Sequence, residues 1–464
     1  MKLLIIAHDD VDLIDRRIIN EARVFVERGW DVQINLITRA QRPVTRMHEP
    51  GIALNARPLW WFEPPYDPVY HGPRRLFDFR TDAVNRMRFR LSRFPRLRFA
   101  ARCLLRTFRF FRRGAQRLTQ GDVEPPPEIL ESYPLPFTLG FLEQAKEESF
   151  DAVMACDLLA LPAARELAGG RGVPLIYDAH EYYVEQGTLS QKQKETLVRH
   201  ESRCLRDAVL SFTVSDMIAE EITQRYQLER PMRVLYNAAG FPADAESADP
   251  HAARETLGIP RNDAVLLYHG GIIGNRNLAR LVTAFRELDA PSAHLVLLGD
   301  GNRTAMLQRL SAGCARIHRH PAVPQEELPA WIHAADAVVI PYPATEKNNE
   351  YCMPNKFSDC VELSCPVVAN SGLKMIERML SEYRMGVSGP MDSDDDMTAT
   401  LGRALDWLRH GESRHADFAS AQRRLGWKTQ RGKLRTWLGD VGLPGFARAK
   451  PEPCHDAERT PVCV

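Results

Sequence analysis

The chain has 464 residues, 44% hydrophobic and 26% charged, the balance of an ordinary soluble globular protein with room for two or three domains. Lys and Arg number 61 against 60 Asp and Glu, a net charge of +1, so the chain is no polycation and any pull toward nucleic acid or membrane must come from local clustering. Nine cysteines form no C-x-x-C pair, the opening apolar run is too short for a secretory leader, and no stretch nears about 18 apolar residues; a cytoplasmic chain without a bilayer span is expected.

Leu3–Ala7 is an apolar run that ends in the polar loop His8-Asp9-Asp10 and predicts a first strand. Arg17–Arg28 places Ile18, Ala22, Phe25 and Val26 at helical spacing and stops at Gly29, and Val32–Ile37 predicts a second strand. Strand, helix, strand is the parallel unit of a doubly wound sheet. Asp10-Val11-Asp12 spells D-x-D, a pattern that can hold a metal elsewhere, but at this place in the chain no metal site is expected.

Between Arg74 and Arg117 stand fifteen Arg, no Lys, two Asp and no Glu, interleaved with Phe79, Phe89, Phe94, Phe99, Phe108, Phe110 and Phe111. Arg102, Arg106, Arg109, Arg113 and Arg117 recur every three or four residues, with Leu104, Phe108 and Phe111 on a neighbouring face. A basic amphipathic helix of this kind reads as a binder of anionic membrane surface. Packing on its own domain or on another subunit is the alternative, and nucleic acid is not expected as a partner.

Alternation resumes with strands at Ala152–Ala155, Leu175–Tyr177 and Leu210–Val214, and Ala238–Pro250, rich in Pro, Asp and Ala, reads as a hinge. A second series follows: strand Val265–Tyr268, helix Leu278–Leu288, strand His294–Leu298, helix Glu326–Ala335 and strand Ala337–Ile340. It ends in the stretch Asn348–Asn370, where a polar loop with Glu350 meets Pro354, a helix over Lys356–Leu363 and the apolar run Pro366–Ala369. The free N–H groups of that helix's first turn, with its dipole and Lys356, suit a diphosphate, and Asp359 one turn inside can accept from vicinal hydroxyls. Together these describe a nucleotide diphosphate with its ribose.

Pro354-Asn355-Lys356, Asp359 and Pro366-Val367-Val368-Ala369 resemble the P-N-K-x-x-E and P-V-V-A segment of retaining glycosyltransferases of the GT-B fold, with Asp in place of the family's Glu. Asp15–Ala22 resembles the family's D-x-R helix start, and Tyr177-Asp178-Ala179-His180-Glu181 its Y-D-x-H-E segment. Val214-Ser215, Tyr236-Asn237, Gly299-Asp300-Gly301 and Ala334-Ala335-Asp336 follow at family spacing, so the likeness covers about three quarters of the chain. Two departures stand out. The family's other acid falls on Tyr351, with Glu350 one residue out of register, and the first of two loop cations falls on Gly271, leaving Arg276 at the second position.

The resemblance implies an α/β chain of two Rossmann-like domains facing a cleft. An N-terminal acceptor domain would span 1–240, with the Arg-rich helical insertion at about 74–120, and a nucleotide-sugar domain 241–424. A helix over 425–445 would cross back, ahead of a disordered tail over 446–464. It implies a metal-independent, anomer-retaining glycosyltransferase without a cofactor. The donor, a nucleoside-diphosphate sugar, would be held by Gly270, Gly271, Arg276, Asn355, Lys356 and Asp359, and the transferred sugar would lie near His180 and Glu350. With the basic insertion, a lipid-linked or membrane-proximal acceptor is expected, in cell-surface polysaccharide or glycolipid synthesis, on the inner face of the cytoplasmic membrane. A nucleotide-sugar 2-epimerase and a catalytically inert nucleotide-sugar-binding scaffold are the alternatives.

Overall fold

The computed structural model describes residues 1–38, 40, 42–58, 135–187, 189–242, 245 and 249–446. The arginine-rich stretch Arg74–Arg117 therefore lies outside the described residues, as does the tail from residue 447.

The first domain is built on an eight-stranded sheet. Its strands are β1 (Lys2–Asp10), β2 (Asp31–Thr38), β3 (Val44–Glu49), β4 (Ile52–Pro58), β5 (Ala152–Cys156), β6 (Leu175–Ala179), β7 (Leu210–Thr213) and β8 (Arg233–Val234), in the order β3-β4-β2-β1-β5-β6-β7-β8. All neighbours run parallel except β3, which turns back antiparallel on β4. Helices α1 (Arg16–Val26), α2 (Leu135–Gln144), α3 (Leu161–Arg171), α4 (Gln191–Leu205) and α5 (Asp216–Tyr226) cover it. Burial on both faces explains why Leu3–Ala7 and β5 read as unbroken apolar runs. The hairpin of β3 and β4 is absent from the sequence expectation because β3, Val-Thr-Arg-Met-His-Glu, is a largely exposed edge with no apolar pattern to betray it.

The second domain holds six parallel strands, β9 (Ala264–His269), β10 (Ala293–Leu298), β11 (Ile317–His320), β12 (Ala337–Ile340), β13 (Val367–Asn370) and β14 (Gly386–Gly389), in the order β11-β10-β9-β12-β13-β14. Its helices are α6 (Pro250–Leu257), α7 (Leu278–Glu287), α8 (Thr304–Ser311), α9 (Leu328–His333), α10 (Lys347–Tyr351), α11 (Asn355–Glu362), α12 (Lys374–Tyr383) and α13 (Asp394–Arg409). In both sheets the strand order reverses beside the first strand, between β1 and β5 and between β9 and β12. Ligand crevices in such sheets open at the carboxyl ends of those strands.

The closing segment is two helices. α14 (Phe418–Leu425) and α15 (Trp427–Asp440) break at Gly426, whose backbone packs so tightly that an added Cβ would stand 2.5 Å from the Gln422 carbonyl oxygen. α15 lies on the first domain: Leu434 and Leu438 join its core with Leu3, Ile5 and Phe25, and Trp437 meets Phe212 at 6.1 Å. Phe446, placed in the tail by the sequence reading, is buried with its ring 5.3 Å from Phe25. Among the described residues no helix is long and apolar enough to cross a membrane.

Candidate functional site

The carboxyl ends of β9 and β12 and the start of α11 converge on Lys356. Its side chain is buried, and its ammonium donates to the Tyr342 hydroxyl at 2.8 Å while lying 4.8 Å and 5.3 Å from the ring centroids of Tyr268 and Tyr342. Among the described residues no carboxylate forms an ion pair with it. Gly270 follows β9 with φ +105°, and a Cβ there would stand 2.9 Å from the Lys356 Nζ, so the glycine lets backbone and ammonium approach. Gly299 closes the loop from below, where a Cβ would meet the Gly270 carbonyl oxygen at 2.1 Å. Gly271 is exposed, and Arg276 lays its guanidinium 4.2 Å from the centroid of the Tyr342 ring. Gly270, Gly271, Arg276 and Lys356 are thus brought together, around a tyrosine the sequence reading passed over.

Asp359 is buried one turn into α11 and faces the same place. Burial raises its pKa, and Arg16 and Lys356 oppose the rise. Its carboxylate is taken by Arg16 of α1, which reaches across from the first domain and also donates to the Asn355 carbonyl oxygen at 3.2 Å. His269, last residue of β9, puts Nε2 3.8 Å from the Asp359 carboxylate with no hydrogen-bond partner among the described residues. Burial, then the charges of Lys356 and Arg16, hold this imidazole well below its ordinary pKa and hence neutral.

Asn355 stands at the expected place but points elsewhere: its amide donates to both carboxylate oxygens of Asp15, at 3.3 and 3.1 Å, and so links the domains. Asp15 caps α1 at the same time, accepting from the Arg17 backbone at 2.8 Å. Glu350, on the short α10, pairs with Lys374 at 2.6 Å. The seam continues from Asn348 to Tyr182 and Glu181, at 2.8 and 2.9 Å, and from Asn237 to the Met353 carbonyl at 2.6 Å.

Across the cleft, at the ends of β1, β5 and β6, lies an acidic cluster. Arg17 grips Asp178 through two bonds of 2.8 and 2.7 Å, touches Glu21 at 3.1 Å and donates to the Leu235 carbonyl at 2.8 Å. His180 Nε2 lies 2.8 Å from Asp178, and Nδ1 3.9 Å from Asp157, whose carboxylate also accepts from the His180 backbone at 2.9 Å. Burial alone would lower His180, but Asp178 and Asp157 outweigh it and hold the ring well above its ordinary pKa. Burial lifts Asp157 to about 8, with His180 opposing and Glu181, Asp178 and Asp9 adding. Burial and then the neighbouring Asp178 push Glu21 up too.

Cys156, Asp178 and His180 bring three donor atoms within 4.8 Å of one another. A metal would fit them poorly: Arg17 already takes both Asp178 oxygens, and burial keeps the Cys156 thiol protonated. Asp10 and Asp12 do not converge either, since the Asp10 carboxylate accepts from the Asp12 backbone at 3.2 Å while Asp12 turns to Arg46 at 3.5 Å. The sequence reading gave no role to Arg16, His269, Tyr342 or Asp157, although Arg16 lies inside the helix start it noted and His269 directly precedes the Gly270 loop.

Two family models match the chain, "Glycosyl transferase 4-like domain" over residues 14–238 and "Glycosyl transferases group 1" over residues 263–406. No curated protein matches at the sequence level. Among solved structures, sucrose-phosphate synthase from Thermosynechococcus elongatus superposes with a TM-score of 0.61 at 15% identity, over 94% of this chain and 97% of that one. HepE of Anabaena, solved with UDP and glucose, gives 0.60 at 13% identity over 95% and 100%. WaaG, a glycosyltransferase involved in lipopolysaccharide biosynthesis, gives 0.58 at 13% identity over 95% and 100%.

Proposed function

The chain belongs to the GT-B glycosyltransferases, and from that premise we propose that it is a retaining, metal-independent enzyme that moves a sugar from a nucleoside-diphosphate sugar to a lipid-linked or membrane-proximal acceptor. The observation that carries the donor half is Lys356: a buried ammonium answered among the described residues by a tyrosine hydroxyl and two ring faces, beneath the Gly270 backbone and at the start of α11. A buried charge normally demands an anionic partner. A diphosphate supplies one, and Arg276 at the rim of the same Tyr342 supplies a second contact. The HepE complexes, with UDP and glucose and with UDP-glucose, support the same donor class for this fold.

Asp359 would take the ribose hydroxyls once Arg16 yields, and the sugar would extend toward His180 and Glu350. Catalysis would rest on positioning and on stabilising the charge that gathers on the leaving diphosphate. Because the carboxyl groups of Asp178 and Asp157 lie against its two ring nitrogens and hold its pKa up, the part of His180 is to carry positive charge beside the cleft rather than to take a proton.

The acceptor half rests on the sequence of Arg74–Arg117 and is tested with lipid. With an inner-membrane lipid extract in EDTA, the expected result is release of nucleoside diphosphate together with a glycosylated lipid retaining the donor's anomeric configuration. Liposomes with acidic lipid should bind the protein and lose it as salt rises. Turnover restored only by Mn²⁺ overturns the metal-independent reading, and equal binding to neutral and acidic liposomes overturns the membrane reading. An epimerised nucleotide sugar as sole product would make the enzyme a 2-epimerase.

A further inference from the structure

The donor loop has a glycine, Gly271, where its resemblance to other GT-B chains calls for an arginine, and the described cations facing the Asp359 pocket from the second domain's side begin with Lys356. The structure brings another from the opposite domain. Arg16, first residue of α1, buries its side chain to 10% exposure. It donates to Asp359 and to the Asn355 carbonyl oxygen at 3.2 Å, and lies 5.2 Å over the Phe241 ring. Its buried Nε has no partner among the described residues. His269, with Nε2 3.8 Å from the same Asp359 carboxylate, feels the positive charge of both Lys356 and Arg16. We propose that Arg16 is the second diphosphate cation of this enzyme, supplied by the N-terminal domain in place of the one missing at Gly271.

The proposal rests on the donor site assigned above. On binding, the ribose hydroxyls replace the guanidinium at Asp359. Stacked on Phe241 and tethered at the Asn355 carbonyl, the guanidinium then presents Nε and a freed Nη edge to the diphosphate, a geometry suited to phosphate oxygens. In the transfer, the bond between the anomeric carbon and the β-phosphate oxygen breaks with its electron pair left on that oxygen. The acceptor oxygen bonds the anomeric carbon, and its proton passes to the departing diphosphate. The added negative charge meets Arg16 from one domain and Lys356 from the other, so the cation pair is complete only while the domains are closed. This couples closure to catalysis. Position 16 is the unspecified residue of the D-x-R helix start, while the specified Arg17 is spent on Asp178 and Glu21. Arg303 is the rival cation, exposed and 3.4 Å from where a Gly274 Cβ would stand.

The test moves the charge. Gly271 is exposed, and a Cβ there meets nothing closer than Ile273 Cγ2 at 4.0 Å, so a side chain can start from this position. Kd for UDP, GDP, ADP and dTDP is measured by calorimetry on wild type, and the tightest is followed through Arg16→Ala, Arg16→Gln, Gly271→Arg with Arg16→Ala, Arg303→Ala and Lys356→Ala, with diphosphate release alongside. Arg16→Ala is expected to weaken binding or slow release by roughly tenfold or more, and Gly271→Arg to recover most of that loss. Arg16→Gln, which keeps a donor for the Asn355 carbonyl, serves if the alanine variant does not fold and is expected to show the same loss. Wild-type behaviour of both Arg16 variants, a loss that Gly271→Arg leaves unrepaired, or a loss confined to Arg303→Ala overturns the inference. In each of those cases a weakened Lys356→Ala leaves the donor site standing. Wild-type affinity in Lys356→Ala as well, or no binding of any of the four by wild type, removes both.

Discussion

Replacing Lys356 by alanine should separate binding from stability, because the two respond to different features of the same ammonium. In the free protein the charge is buried with no carboxylate pairing it among the described residues, a cost of several kcal/mol before compensation. Compensation comes from one hydrogen bond, at 2.8 Å to Tyr342, and from two ring faces at 4.8 and 5.3 Å, each worth about 0.5–2 kcal/mol. These nearly cancel, so Lys356→Ala should leave the Tm of the free protein unchanged or slightly raised. With a nucleoside diphosphate the lysine makes a charge-assisted contact worth about 1.5–3 kcal/mol, so Kd should rise roughly 10- to 150-fold. Calorimetry and thermal melts with and without the ligand read both quantities, since ligand stabilises by mass action. An unchanged Kd, or a large fall in Tm with binding retained, would refute the reasoning and make Lys356 a structural residue.

Asp359→Asn should weaken the ribonucleoside diphosphate about tenfold, Asp359→Glu should be tolerated better, and a 2′-deoxy ligand should lose a similar amount on wild type; equal binding of ribo and deoxy forms would remove the ribose role. Asp157 sets a pH dependence of definite sign. Its folded pKa of about 8 stands above its ordinary value of 3.8, so its contribution to stability is full below about pH 4 and is lost as pH rises toward 8, at about 1.4 kcal/mol per unit before relaxation. His180, also raised, acts in the same direction. Tm should fall between about pH 5 and about pH 8.5 and fall less in Asp157→Asn; a wild-type Tm that rises over that window contradicts the buried cluster.

How much of this was legible in the sequence depended on where the information lay. The interior parallel strands are buried on both faces, so β1, β5, β9, β10 and β12 read as apolar runs and were placed within a residue or two, apart from β1, which runs on three residues to Asp10. The edges were not: β3 is exposed, and β11, Ile-His-Arg-His, carries three polar residues. The grouping proposed as the donor site could be read from sequence because Lys356 and Asp359 share one helix behind Pro354, and Gly270 and Arg276 share one loop. The contact between Arg16 and Asp359 joins residues 343 apart, so no local pattern could announce it. For the same reason the directions of Asn355, toward Asp15, and of Glu350, toward Lys374, came only with the packing of the two domains.

The most direct measurement is a crystal structure with the tightest-binding nucleoside diphosphate. The prediction is a diphosphate within about 3.2 Å of the Lys356 Nζ and beside the start of α11, Arg276 turned onto it, and both ribose hydroxyls on Asp359 in place of Arg16. A diphosphate seated instead in the first domain, beside His180 and Asp157, or a Lys356 that still meets Tyr342 and Tyr268 and no phosphate with the ligand bound, would contradict it.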